Sequence, residues 1–288
     1  MNTKSFLNIK EFALLTTILL ALFKPVPAEV LHVGPRQSPY QSIQAAIDAA
    51  SVGDEIKVVQ GTYYENLNIS HKHSLNLIGG YADESFSDRD PSAYATIIDG
   101  RKSASVVKVY DSTGIIIDGF VITNGEAKNG GGICADSYSG SNIDLTLNNN
   151  IITGNSASTI GAGISCLSSL NGRPISIILN NNLVTDNVTP QVPGKGGGGV
   201  YLGAFSASIT ATFVANTISG NCSNAGGGVY IVSNSGYSTN VNFYNNDIYE
   251  NSASDNGGGI SIDSYGTDSN SAIFFEGDML SGNSAFTG

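Results

Sequence analysis

This chain of 288 residues has no tryptophan, two methionines, three cysteines and three histidines, and only 13% of it is charged. That charge content is about half the ~25% usual in globular domains, so neutral polar groups must carry the surface. The balance is acidic, 13 Lys and Arg against 24 Asp and Glu, for a formal net charge of −11. Such a surface repels polyanions, and no basic cluster offsets it, which excludes nucleic acid as a partner. His32, His71 and His73 all lie early in the chain and no arginine follows Arg173, so most of the molecule is poor in candidate bases. Three cysteines cannot all pair within one chain, and no disulfide framework is indicated. One long apolar run exists, the twelve residues from Phe12 to Phe23, short of the ~20 that a bilayer-spanning helix needs.

What the chain has instead is glycine, 35 residues of it, and an asparagine that keeps returning. An apolar-x-x-Asn group closes at Asn155, Asn187, Asn221, Asn251 and Asn283, with a weaker first copy at Asn124. The intervals are 31, 32, 34, 30 and 32 residues. Spacing this regular, and too long for a heptad, marks one coil of a stack.

Each coil holds three short apolar runs. A glycine-rich entry leads to Ile133, Ile164, Val200, Val229 and Ile260, followed two residues on by Ala135, Cys166, Leu202, Ile231 and Ile262. The intervening slot, with Cys134, Ser165, Tyr201, Tyr230 and Ser261, faces outward by the period of two. A second run carries Leu147, Leu179, Phe213, Phe243 and Phe275, each three residues before a polar position held by Asn150, Asn182, Asn216, Asn246 and Asp278. The third run is the asparagine group itself. Three strands and three turns per coil predict an all-β right-handed parallel β-helix, its hand set by the bias of parallel crossovers.

In that geometry the asparagines are structural, each bonding turn backbone and its stacked neighbour. Asn68, Asn187 and Asn221 also open Asn-x-Ser/Thr triplets, but the last two occupy the expected ladder, where a glycan would not fit. The Gly-Gly-Gly runs give backbone freedom at a tight corner. A phosphate-cradling loop would need a helix after it, whereas here a strand follows each time, so nucleotide binding is excluded.

The ends differ from the repeats. Lys4 and Lys10, the apolar run and Val26-Pro27-Ala28 read as a secretory signal peptide over residues 1–28, implying a secreted or cell-surface protein. Residues 29–55 form a cap, with Tyr40, Ile43, Ala46, Ile47 and Ala50 at helical spacing to shield the first strand edges. Residues 56–288 form the β-helix, with an external loop between Gly79 and Thr96. The chain stops as the next glycine corner begins, so a continuation of the coil beyond Gly288 is expected, and membrane contact is expected only through such a missing region.

Ser42-Ile43-Gln44-Ala45-Ala46-Ile47, Gly53-Asp54 and Gly61-Thr62-Tyr63 with Glu65 resemble the opening of pectate-lyase-like β-helix proteins. The repeats, Gly257 to Ile260 and Ile248 to Asn251 for example, are similar to those of polymorphic outer-membrane proteins, with Ile, Val or Leu in place of that family's Phe. The first resemblance implies cleavage of acidic polysaccharide by lyase or hydrolase chemistry; the second implies surface display. The Gly-His-Gly and Arg-Ile-Lys motifs of polygalacturonases are absent.

Candidate sites are few. Asp83, Glu84, Asp88 and Asp90 crowd the external loop and make calcium the one ion to expect, no cofactor being otherwise required. Tyr201 and Tyr230 share the outward slot of adjacent coils and would form a flat aromatic pair suited to a sugar ring. Arg173 and Lys195 flank the longest insertion. With no catalytic cluster visible, the expectation is a structural or adhesive scaffold that binds polysaccharide or cell-surface glycan; the alternative is a polysaccharide lyase or glycoside hydrolase.

Overall fold

The computed structural model describes residues 27–137, 142–168, 173–234, 237–265 and 271–286; the proposed signal peptide lies outside these apart from Pro27 and Ala28. The fold is a right-handed parallel β-helix, all-β apart from one short helix among the described residues. Sheet A stacks nine strands from Val30–Val33 to Ser271–Glu276, sheet B eight from Gly61–Tyr63 to Met279–Ser281, and sheet C seven from Leu67–Ser70 to Ile260–Tyr265. Each coil passes through C, then A, then B. The register sets like on like: Ile164, Val200, Val229 and Ile260 pair in turn, as do Leu179, Phe213, Phe243 and Phe275.

The expected triangle gains a fourth, shorter side. After sheet B, Glu126–Asn129 pairs with Ser156–Ile160, and further on Cys222–Ser223, Ser252–Ala253 and Ser284–Ala285 form a second small ladder. These segments form a ridge beside the outer face of sheet C. Glycines at the corner from ridge to sheet make it possible: Gly161 and Gly197 have φ of 58° and 67°, and a Cβ on either would meet the backbone oxygen of Ile164 or Val200.

Inside, alternate residues of all three sheets form one continuous apolar core. Each fully buried Leu, Ile or Phe in it contributes ~1.5–3 kcal/mol relative to exposure. Phe213 and Phe243 stack at 4.6 Å, and Phe243 and Phe275 at 4.7 Å, close to the strand spacing that forces rings in one slot into register.

Two asparagine ladders close the corners of sheet B. In one, Asn182 donates from Nδ2 to the Leu147 carbonyl of the coil before (2.8 Å) and to Asn216 Oδ1 of the coil after (3.0 Å), and its backbone N–H also reaches Asn216 Oδ1 (2.9 Å). Asn150, Asn216 and Asn246 repeat the pattern, and Asp278 accepts at its end. Asn155, Asn187, Asn221, Asn251 and Asn283 make the second ladder in the same way, Asn187 reaching Ile152 O at 2.9 Å and Asn221 Oδ1 at 3.0 Å. The first copy is out of register with this series. Ile122 pairs with Ile152 and Thr123 with Thr153, so Gly125 takes the ladder place and its N–H donates to Asn155 Oδ1, while Asn124 adopts the left-handed turn conformation at φ 56°.

The first coil is closed by the helix α1, Ile43–Ala49, whose Ile43, Ala46 and Ile47 are fully buried. Ser42 caps it, accepting from Ala45 N, and the Glu65 carboxylate accepts from Ser42 Oγ and the N–H groups of Ile43 and Gln44. The Gln44 side chain covers the edge of sheet C: Oε1 accepts from Asn68 N at 2.7 Å and Nε2 donates to Asn68 O at 3.1 Å. The expected cap is also more than a helix, because Val30–Val33 extends sheet A by one strand. The external loop folds back on the barrel, pinned by Arg89, which bonds Asp118 Oδ1 at 2.7 Å and Gly79 O at 2.9 Å.

Candidate functional site

The outer face of sheet C changes character along its length. Its outward slot runs Asn68, Lys108, Cys134, Ser165, Tyr201, Tyr230 and Ser261; the next outward slot runs Ser70, Tyr110, Asp136, Leu167, Gly203, Val232 and Asp263. Over the later coils the ridge lies down on this face. Over the earlier ones it stands off, leaving a groove of about 580 Å³ between Glu126–Asn129, the Ser103–Ser105 turn and the strands carrying Lys108, Cys134 and Asp136.

The floor of this groove holds a perturbed carboxyl. Asp136 is shifted upward from the ordinary aspartate range, chiefly by burial, with the Cys134 thiol and the Lys108 ammonium pulling the other way. The thiol donates to Asp136 Oδ2 at 3.4 Å. Burial and the adjacent carboxylate push the Cys134 thiol up, away from thiolate chemistry. Asp136 Oδ1 is buried with no partner, as are Asn129 Oδ1 on the ridge and the hydroxyl of Ser165, one coil further along the Cys134 slot. Lys108 is exposed beside them, its Nζ 5.6 Å from the Tyr110 ring centre. A carboxyl whose proton affinity is raised by burial, an exposed ammonium and unpaired buried oxygens suit a polyhydroxylated ligand.

The sites anticipated from sequence fare differently. Tyr201 and Tyr230 are adjacent as expected but do not present a flat platform. Their rings meet edge-on at 73°, 5.7 Å apart, and Tyr201 is 4% exposed. Ile160, Leu167 and Val232 pack around them, and Gly196 of the ridge lies against the Tyr230 ring. The ridge, invisible as an element in the repeat pattern, covers what alternation alone would leave in solvent. Burial pushes the Tyr201 phenol up to about 12, and Tyr230 donates its hydroxyl to Asp263 at 2.6 Å.

The acidic loop spends its carboxylates on its own shape. Asp83 accepts from Ser85 N, Asp90 from Ser92 N and Oγ, Asp88 from the Tyr94 hydroxyl, and Glu84 from the N–H groups of Arg36 and Gln37. Among the described residues no group of three or more His, Cys, Asp or Glu side chains converges to hold a metal, so the structure does not bring these four together as a calcium site. Arg173 and Lys195 belong to different corners of the coil, before sheet A and before sheet C, and neither lines the groove. The three cysteines are free, Cys134 facing out and Cys166 in. Lys108 went unnoticed in sequence because it precedes the regular repeats, and Asp136 because it follows the last residue matched in the first of them. The signal was there: Val107-Lys108-Val109 has the alternation of Ile133-Cys134-Ala135.

By its sheets and corners the chain is a parallel β-helix protein with a groove over one sheet. It matches no known family profile and no curated protein. Among solved structures it is similar to the pectin methylesterase from Aspergillus niger, at 18% identity and TM-score 0.40 for the deglycosylated form and 16% and 0.38 for the penultimately deglycosylated form, each covering 89% of this chain and 87% of that one. At these values the assignment of the fold rests on the chain's own hydrogen-bonded sheets. No helix among the described residues is long and apolar enough to cross a membrane.

Proposed function

We propose that this protein is an extracellular polysaccharide-acting β-helix that takes a stretch of acidic glycan in the groove over sheet C and cleaves it with Asp136 as proton donor. One observation carries the reading: Asp136 combines an upward-shifted carboxyl with a buried oxygen that has no protein partner, beside an exposed ammonium. An unpaired buried oxygen costs ~1–3 kcal/mol, a strain that a bound hydroxyl would relieve. Lys108 would meet a uronate carboxylate, and Asp136 would protonate the glycosidic oxygen as its bond to the anomeric carbon breaks, a water taking that carbon and releasing its proton to solvent. The similarity to pectin methylesterases agrees with such a substrate class but does not carry the reading.

The test is incubation with pectate and with methylesterified pectin, following reducing ends, unsaturated ends and released methanol. Asp136→Asn is expected to lower kcat by about 10²–10⁴-fold, while Lys108→Ala raises KM. Glycan binding by affinity electrophoresis with no turnover on any substrate would reject the catalytic half. It would favour the scaffold reading, which draws support from the later coils, where sheet A presents neutral Ser176, Thr210, Thr212, Asn240 and Asn242 outward.

A further inference from the structure

Three Asn-x-Ser/Thr triplets occur in the chain, and the fold separates them sharply. Asn187 and Asn221 are fully buried. Each uses its amide nitrogen twice or more, Asn187 on Ile152 O, Thr185 O and Asn221 Oδ1, and Asn221 on Val184 O and Asn251 Oδ1. A sugar on either nitrogen would break its ladder bonds and would need space inside a closed corner.

Asn68 is the opposite case. It lies on Leu67–Ser70, the edge strand of sheet C, in an outward slot, and its residue is exposed between buried Leu67 and Ile69. Its backbone N–H and C=O are both taken by Gln44, while its own carboxamide has no hydrogen-bond partner among the described residues. The register puts it one coil before Lys108, at the end of the groove nearest the cap. A branched, hydrated substituent here would meet solvent on the outer side and would screen the strand edge from pairing with other chains.

We infer that Asn68 is an N-glycan acceptor, and that among the three triplets it alone bears a glycan in the folded protein. The inference rests on export through a compartment holding an oligosaccharyl transferase and a lipid-pyrophosphate-linked oligosaccharide. In the transfer, Asn68 Nδ2 bonds to the anomeric carbon, the bond from that carbon to the pyrophosphate oxygen breaks, the pyrophosphate leaves with its electron pair, and an amide proton passes to the transferase's base.

The experiment secretes residues 29–288 from an N-glycosylating host behind a leader of known routing, so that failure of the native signal peptide is read separately by exporting the unaltered chain. The folded, secreted material is mapped by glycopeptide mass spectrometry and treated with peptide N-glycosidase. One glycan is expected, on the peptide containing Asn68, removed by the enzyme and absent from both Asn68→Gln and Ser70→Ala. An unmodified Asn68 in folded secreted protein would overturn the inference, and so would a glycan on Asn187 or Asn221 in molecules that keep the fold.

Discussion

The coils before residue 133 and those after it solve the same problem in two ways. In the later coils every corner beside sheet B is closed by the same asparagine bond repeated, each residue serving the coil on either side of it. In the earlier coils each corner has its own fixture. Thr96 Oγ1 accepts from Gly80 N, Asn66 donates to Gly100 O and Ser105 O, Ser112 bonds Ile69 O and Tyr110 O, and Arg89 ties the external loop down. Repetition gives stiffness and leaves little freedom for the outward side chains. Irregularity gives up shared bonds but opens the gap in which Lys108, Cys134 and Asp136 meet. The candidate site lies at the boundary, with Lys108 on the last irregular coil and Cys134 and Asp136 on the first regular strand.

The sharpest way to break this contrast is to remove one ladder member. Asn187→Ala would strand Asn155 N and take a donor from Ile152 O in a buried corner, while the backbone N–H at 187 keeps Asn221 Oδ1 paired, and at ~1–3 kcal/mol for each unpaired group it should lower the unfolding free energy by about 4 kcal/mol. Denaturant unfolding of this variant beside Asn66→Ala, whose partly exposed bonds predict a loss of about 1 kcal/mol, measures the difference. Equal losses would mean that the ladder has no cooperative role.

Phe243→Ala opens a cavity between Phe213 and Phe275 and should cost about 3–5 kcal/mol. A larger loss than that of Asn187→Ala in the same measurement would show that packing, rather than polar closure, limits the later coils.

The groove predicts an opposite sign. Burial raises the Asp136 carboxyl above its value in the unfolded chain, so as pH climbs past the ordinary aspartate range the unfolded state sheds its proton first and stability falls until the raised value is passed. Asp136→Asn removes that loss. It should be more stable than the parent at neutral pH, with the gap closing on acidification below the ordinary range, as thermal melts across pH would show. A variant less stable at every pH would make Asp136 a structural fixture like Asn66.

The smallest effect is expected at Ala215. It occupies, at φ 51°, the left-handed turn slot that Asn149, Asn181, Asn245 and Gly277 fill in other coils, a conformation costly for a residue with a Cβ and no local bond to offer. Ala215→Asn should raise stability by about 0.5–1 kcal/mol, read from the shift in denaturant midpoint.

Much of this was legible beforehand. The interval of the asparagines, the alternation around Ile133, Ile164 and Val229, and the helical spacing of Ile43, Ala46 and Ile47 led to the coil, the core and the cap, because each is a short-range pattern repeated. The ridge was not legible. Ser156–Ile160 and Cys222–Ser223 are short and weakly apolar, and only their place against sheet C reveals them, which is why Tyr201 and Tyr230 looked exposed. Asn124 misled because it copies the motif one position early. Lys108 and Asp136 gain meaning only when the register brings residues 26 to 28 apart onto neighbouring strands.

Gln44 deserves a last consequence. A primary amide carries a donor and an acceptor side by side, spaced like those of a peptide unit, and this one docks on Asn68 as a single-residue substitute for a neighbouring strand. With the helix and Glu65 around it, it occupies the place where a further strand would pair with Asn68.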